Sequence, residues 1–139
     1  MKVHPSLRIT AERVIDDART DTLTTVFGPT LGIRVEQTVF NFLHEFCATY
    51  RGGFWNFTRL SNGGFFMSPP EEGAPYRIQT ENHYDGKVSA EAAGMVVCLY
   101  TFSTLSFMPG LAPMAEHFHR LRMFALDHAE AGAIFAAID

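Results

Sequence analysis

The sequence predicts an α+β fold: a small antiparallel sheet of three to four strands packed with about four to five helices, in a single domain of residues 1–139. Three observations carry this expectation. A helical stripe runs from Arg34 to Tyr50; two aromatic strands joined by an Asn-Gly turn follow between Phe54 and Ser68; and the stretch from Ala90 to Tyr100 is apolar almost all round. No internal repeat or linker-like segment divides the chain.

Between Thr10 and Thr25 a weaker, more polar pattern reads as helical, and Pro29 with Gly32 separates it from the next element. There Val35, Val39, Phe42, Leu43, Phe46 and Tyr50 recur at helical spacing until Gly52-Gly53 stops the helix. Phe54–Leu60 and Phe65–Ser68 are rich in aromatic and β-favouring residues, and Asn62-Gly63 between them supplies the positive φ angles of a tight hairpin turn. Pro69-Pro70 ends the second strand, because proline cannot donate a ladder hydrogen bond. Tyr76–Thr80 reads as a third strand, and a short fourth at Lys87-Val88 follows an Asp85-Gly86 turn. Ser89 then caps a long helix to about Thr104, with Glu91 in the first turn where the helix dipole favours negative charge. An all-round apolar helix belongs at the centre of a fold. Pro113 opens a helix carrying Met114, Phe118, Leu121 and Ala125 on one face, which gives out near Asp127. Asp127 and Glu130 have the spacing of a capping box, which predicts a last helix over His128–Ile138.

Apolar residues make up 47% of the chain and charged residues 19%, with 13 Phe, a composition that folds. Fifteen Asp and Glu against eleven Lys and Arg leave a net charge of −4, so no basic excess drives binding to nucleic acid or an anionic membrane. Tight nucleic-acid binding is not expected. Nor can the chain imitate duplex DNA, which presents about twenty phosphates in ten base pairs; 15 acids spread among 11 bases do not draw that pattern. Pro5, Arg8, Glu12 and Arg13 stand where a secretory signal needs an unbroken apolar core. The uncharged span between Glu91 and Glu116 is broken by Ser103, Ser106, Pro109, Gly110 and Pro113, which argues for a buried helix and a turn instead of a membrane span. A cytoplasmic protein with no membrane partner is expected.

Motifs that carry chemistry are sparse. His117 and His119 are two apart and point about 200° from one another on a helix, which prevents chelation of one ion. His44 and Cys47 share a face but lack further ligands, and Cys47 and Cys98 read as buried thiols without a CxxC pair. No nucleophile elbow, SxxK, or phosphate-cradling glycine pattern occurs. Catalytic residues, metal and cofactor are therefore all expected to be none. Trp55, Phe57, Phe65 and Phe66 read as the core face of the sheet and not as a base-stacking platform, since only Arg51, Arg59 and Arg77 lie near them. His117, His119, Arg120 and Arg122 read as a solvated basic face. Asp139 follows a helix whose C-terminal dipole disfavours negative charge, so folding does not ask for it. The candidate partner contacts are Asp127, Glu130 and Asp139 at the last helix and Asn62 at the hairpin tip. A spare apolar face on the Phe-rich elements would allow a homodimer.

Gly52-Gly53-Phe54-Trp55-Asn56-Phe57, followed by Leu60-Ser61-Asn62-Gly63-Gly64-Phe65-Phe66-Met67-Ser68-Pro69, resembles the signature of the ArdB/KlcA family of antirestriction proteins. Val88-Ser89-Ala90-Glu91-Ala92-Ala93-Gly94 and the closing segment, with His119-Arg120-Leu121-Arg122, Asp127-His128, Glu130-Ala131 and Ala137-Ile138-Asp139, are similar to two further family blocks. The resemblance covers about Arg34 to Asp139, with Ala129 where the family has proline. It implies a protein of plasmids or other mobile elements that protects incoming DNA from type I restriction. It implies no cofactor and no enzymatic activity. The implied partner is a type I restriction complex or an accessory host protein, reached through protein contacts. Two other classes compete with this reading, an enzyme acting on the restriction machinery and a nucleic-acid-binding module.

Overall fold

The computed structural model describes residues 8–15 and 18–139. In chain order these form β1 (Ala11–Val14), α1 (Ala18–Phe27), α2 (Pro29–Phe46), β2 (Asn56–Leu60), β3 (Phe65–Ser68), β4 (Tyr76–Gln79), β5 (Asp85–Val88), α3 (Ala90–Ser106), α4 (Met114–Ala125) and α5 (Ala131–Ile138), with a 3₁₀ turn at Glu71–Gly73. The α+β class holds, but the strands divide into two antiparallel sheets, one of order β1-β2-β3 and one formed by β4 and β5.

Helix α3 is the axis. Twelve of its residues are buried, from Ala90 to Leu105, and it packs against β3, α2, α4 and α5. Ser89 caps it as expected, its Oγ accepting from the Ala92 N–H at 3.1 Å. The closest approach is at Gly94, where a β-carbon would lie 2.5 Å from the Cα of Ser68 and nearer still to the Met67 carbonyl oxygen. The β3 backbone therefore rests directly on the helix, and the Met67 N–H and C=O both meet the Cys98 thiol, at 3.4 and 3.5 Å. All four β3 residues are buried.

The hairpin pairs Phe57 with Met67 and Thr58 with Phe66. At its turn Gly63 has φ +86°, but Asn62 does not have a positive φ; its side chain serves the turn instead, Oδ1 accepting from the Gly64 N–H at 2.9 Å. The helical reading of Thr10–Thr25 is corrected for its first part. Ala11–Val14 is an edge strand on β2, anchored where the Ser61 N–H donates to the Thr10 carbonyl at 2.9 Å and Ser61 Oγ accepts from Thr10 N–H at 2.8 Å. Three of its four residues are exposed, so no alternation of burial marked it as a strand. Helix α2 begins at Pro29, the position where a missing N–H costs nothing, and runs through Gly32. Gly32 does not separate the helices but joins them: a β-carbon there would meet the Leu23 carbonyl oxygen of α1 at 2.9 Å.

Asp85-Gly86 is not the turn before β5 but lies within it, Gly86 opposite Ile78; the turn is at Thr80–Tyr84, with His83 at φ +71°. The capping-box reading is also corrected. Helix α5 starts at Ala131, Asp127 is exposed, and Glu130 at the N-cap makes no side-chain cap bond, because its carboxylate is turned to Ser89. The other end of α5 is held by Asn82 Nδ2, donating to the Ala136 carbonyl at 2.9 Å, and by the Tyr100 hydroxyl, donating to that of Ala137 at 2.8 Å. No helix among the described residues is long and apolar enough to cross a membrane.

Gly94→Ala is expected to lower the unfolding free energy by about 3 kcal/mol or more, since helix and strand must separate to admit the methyl group. Gly132→Ala, in the exposed first turn of α5 with nothing within 4 Å of the added carbon, is expected to raise it by up to about 1 kcal/mol. Urea unfolding of the two variants checks both signs.

Candidate functional site

The four candidate contact residues fall on two neighbourhoods. Asn62, half-buried at the hairpin tip, donates from Nδ2 to the Arg120 carbonyl at 2.9 Å and so ties the hairpin to α4. Asp127 and Asp139 are exposed at either side of α5. Glu130 is half-buried and engaged: its carboxylate accepts from the Ser89 N–H at 3.0 Å and from the Ser89 hydroxyl.

Around Glu130 the structure assembles a polar network at the N-terminus of α3. His128 Nε2 lies 2.9 Å from Glu91 Oε1, and its Nδ1 accepts from the Glu130 backbone N–H at 3.0 Å. An accepting Nδ1 requires the tautomer protonated on Nε2, so the imidazole donates to Glu91. A cleft of about 380 Å³ bounded by Glu71, Ser89, Glu91, His128 and Glu130 opens beside it. Serine, histidine and carboxylates meet here without forming a nucleophilic relay, because the Ser89 hydroxyl is directed at Glu130 and the imidazole at Glu91. The network joins the start of α3 to the α4–α5 turn. Among the described residues no group of three or more His, Cys, Asp or Glu is placed to hold a metal ion.

A further surface feature, which holds none of the four candidates, surrounds Gly52-Gly53-Phe54. Gly52 and Gly53 have φ +88° and +124°, and a β-carbon on Gly53 would strike Pro70 Cγ at 2.6 Å. The loop they form lifts Phe54 into solvent, 85% exposed, while the next residue, Trp55, is buried with its Nε1 donating to the Tyr50 hydroxyl at 2.7 Å. Phe54 is the shared wall of two clefts. One, of about 650 Å³, lies toward Arg13, Arg51, Glu71, Glu72 and Tyr76. The other, of about 390 Å³, lies toward Arg19, Glu36, Phe40, Trp55 and Phe57. The Arg19 guanidinium sits 5.7 Å from the Phe54 ring centre and 5.9 Å from that of Phe57, and donates to the Trp55 carbonyl. Sequence reasoning assigned the neighbouring rings to the core and passed over Phe54, Arg19 and Glu36; the signal for Phe54 was the glycine pair before it, which permits backbone closed to other residues.

Elsewhere the sequence-stated candidates have structural places. Cys98 is fully buried, which pushes its thiol up to about 12, so it is no nucleophile. Cys47 is buried, while His44 is exposed and packs edge-on against Tyr50. His117 is not part of a solvated basic face with His119 and Arg122: its ring is half-buried against Phe27 and Phe102 at 4.8 and 5.6 Å, with Nδ1 lacking a hydrogen-bond partner among the described residues. Burial, reinforced by Arg120, pushes its pKa down. Phe65 and Phe66 are covered, so the exposed apolar side chains available to a second copy include Met123 and Leu126 at the end of α4.

Comparison with known proteins adds an independent line. The family model described as "Antirestriction protein" matches residues 48–139. Antirestriction protein KlcA of Escherichia coli is 42% identical over 138 residues, covering 94% of each chain. The uncharacterized protein YafX of Escherichia coli K12 is 38% identical, covering 97% of this chain and 91% of its own. A solved structure matches all of this chain and 99% of its own with a TM-score of 0.88 and 35% identity; it is described as showing that the KlcA and ArdB proteins have "a novel fold and antirestriction activity against Type I DNA restriction systems in vivo but not in vitro". The likeness thus extends over the N-terminal part, where the sequence alone offered little to compare.

Glu130→Ala is expected to cost about 1–3 kcal/mol by leaving Ser89 groups unpaired, and Asp127→Ala close to nothing; chemical denaturation distinguishes them. His117 adds a pH dependence of defined sign. Its folded-state pKa is depressed, so below about pH 6.5 the unfolded chain takes up a proton that the folded chain resists, and stability falls as pH falls. His117→Leu should lose less stability than the parent between about pH 7.5 and 5.

Proposed function

The chain belongs to the antirestriction protein family, and from that premise we propose that it protects incoming mobile-element DNA from type I restriction by docking onto the restriction complex or an accessory host protein, without imitating DNA and without catalysis. The observation that supports this reading most is the near-complete match in sequence and fold to proteins active against type I systems. That activity, described for those relatives in vivo but not in vitro, favours a target that includes a further cellular component.

The distribution of charge favours protein contact over DNA mimicry. Glu71, Asp85 and Glu116 are each paired with an arginine, Arg13, Arg77 and Arg120, which takes three of the 15 acids out of any run of free carboxylates. Absence of catalysis is supported by the fate of the reactive side chains: Ser89 is spent on a helix cap and Cys98 on the strand beneath it. The single-domain chain acts in the cytoplasm in this reading, where restriction complexes meet entering DNA. Asp127 and Asp139, exposed and without an ion-pair partner among the described residues, are the leading acidic contacts; Glu130 and Asn62 contribute by holding the surface in shape. A homodimer would draw on exposed apolar side chains, which among the described residues include Phe107, Met123 and Leu126.

Expression in a host with an active type I system should raise survival of unmodified phage DNA, and the purified protein should bind neither duplex nor single-stranded DNA tightly at physiological salt. Asp139→Ala should leave the melting temperature nearly unchanged while weakening protection. Unchanged phage survival with the parent protein removes the assignment, and full protection by Asp139→Ala removes that residue from the contact.

A further inference from the structure

The Gly52-Gly53-Phe54 ridge is a feature that folding does not account for, and we propose that it docks a loop of the partner polypeptide carrying an aromatic or leucine side chain next to a carboxylate. This rests on the protein-contact reading above and names a surface for it. Single exposed apolar residues are ordinary. Phe54 differs in how it is held. Two left-handed glycines lift it, Pro70 supports the loop from one side, and Arg19 stacks beside the ring while bonding to the Trp55 carbonyl. The loop that presents this 85% exposed ring is thus braced on Pro70 and Arg19 without a partner, which lowers the ordering cost of association.

The cleft next to Phe54 states what it fits. Its walls are Phe40, Phe54, Trp55 and Phe57, and at about 390 Å³ it has room for one large apolar side chain. Arg19 and Glu36 line it, and neither takes part in an ion pair among the described residues. A guanidinium with no ion-pair partner among the described residues, flanked by aromatic rings, is matched by a carboxylate adjoining an apolar group; Glu36 is matched by an N–H of the same segment. Aromatic anchors with a neighbouring arginine are the residue types that dominate protein interfaces. A stacked nucleobase would also meet the aromatic walls, but its phosphates would approach a chain of net charge −4, and the polypeptide occupant is favoured.

The test uses the full chain in a host with an active type I system, at matched protein abundance. Phe54→Ala should keep the melting temperature within about 1 °C, because the ring is exposed, and lower phage protection at least tenfold, while Phe54→Trp, which keeps a large aromatic anchor, retains protection. A parent protein that fails to protect overturns the antirestriction reading itself. A parent that protects together with Phe54→Ala that protects equally overturns the docking site alone. In the same host, a photoreactive side chain placed at position 54 should form a polypeptide adduct that the same group at exposed position 87 does not form; an adduct with nucleic acid, or none, overturns the proposal.

Discussion

The contact between the β3 backbone and helix α3 at Gly94 is the constraint on which the remaining geometry depends. With no side chain at Gly94, the Met67–Ser68 peptide lies against the helix, and Cys98 one turn later takes both polar groups of Met67. A strand held at that distance carries its hairpin turn to α4, where Asn62 bonds to the Arg120 carbonyl and the Gly64 position has Arg120 Cβ at 3.0 Å from its would-be side chain. The N-terminus of α3, about one turn before Gly94, does the same for the C-terminal part. Ser89 caps the helix, Glu130 holds Ser89, and His128 reaches Glu91, so the α4–α5 turn is registered on the helix that the hairpin already grips. The three sequence blocks that resemble the antirestriction family are the three parts of this one assembly.

Function follows from what that assembly leaves at the surface. The reactive groups are absorbed: the Cys98 thiol is buried and raised, Ser89 is a cap, and His128 is held between Glu91 and a backbone N–H. Three exposed ion pairs, Arg13–Glu71, Arg77–Asp85 and Arg120–Glu116, contribute little to stability. The Phe54 ridge with Arg19 and Glu36, and the acids Asp127 and Asp139 about α5, are among the surface features that form no ion pair among the described residues. An interface built from an aromatic anchor with a charged rim needs neither cofactor nor turnover.

Much of the fold was legible in the sequence wherever one strong local signal acted alone. Ser89 before an apolar run and Asn62-Gly63 between aromatic strands each led to the element observed, and the stripe from Val35 to Tyr50 led to α2, which nevertheless ends at Phe46, short of Tyr50 and of the glycine pair expected to stop it. Reading failed where tertiary contacts outrank local pattern. Ala11–Val14 is a strand because β2 offers a ladder, although three of its four residues are exposed. The Asp127/Glu130 spacing suited a capping box, but Ser89, 41 residues away, captured the Glu130 carboxylate. His117 looked like one member of a basic run and instead faces inward, because α4 turns that side toward Phe27 and Phe102. The candidate site was legible in part: Asp127 and Asp139 are surface acids as read, while the exposure of Phe54 depends on how the glycine loop sits on Pro70, which no local pattern states.

The central claim is that protection arises from occupancy of a protein surface and not from catalysis or from competition for DNA sites. It is tested most directly by counting antirestriction proteins and restriction complexes per cell over a graded expression series while measuring survival of unmodified phage. Stoichiometric docking predicts that half-maximal protection requires at least about one copy per restriction complex. Full protection at a small fraction of one copy per complex would mean that each molecule acts many times, and would contradict the account.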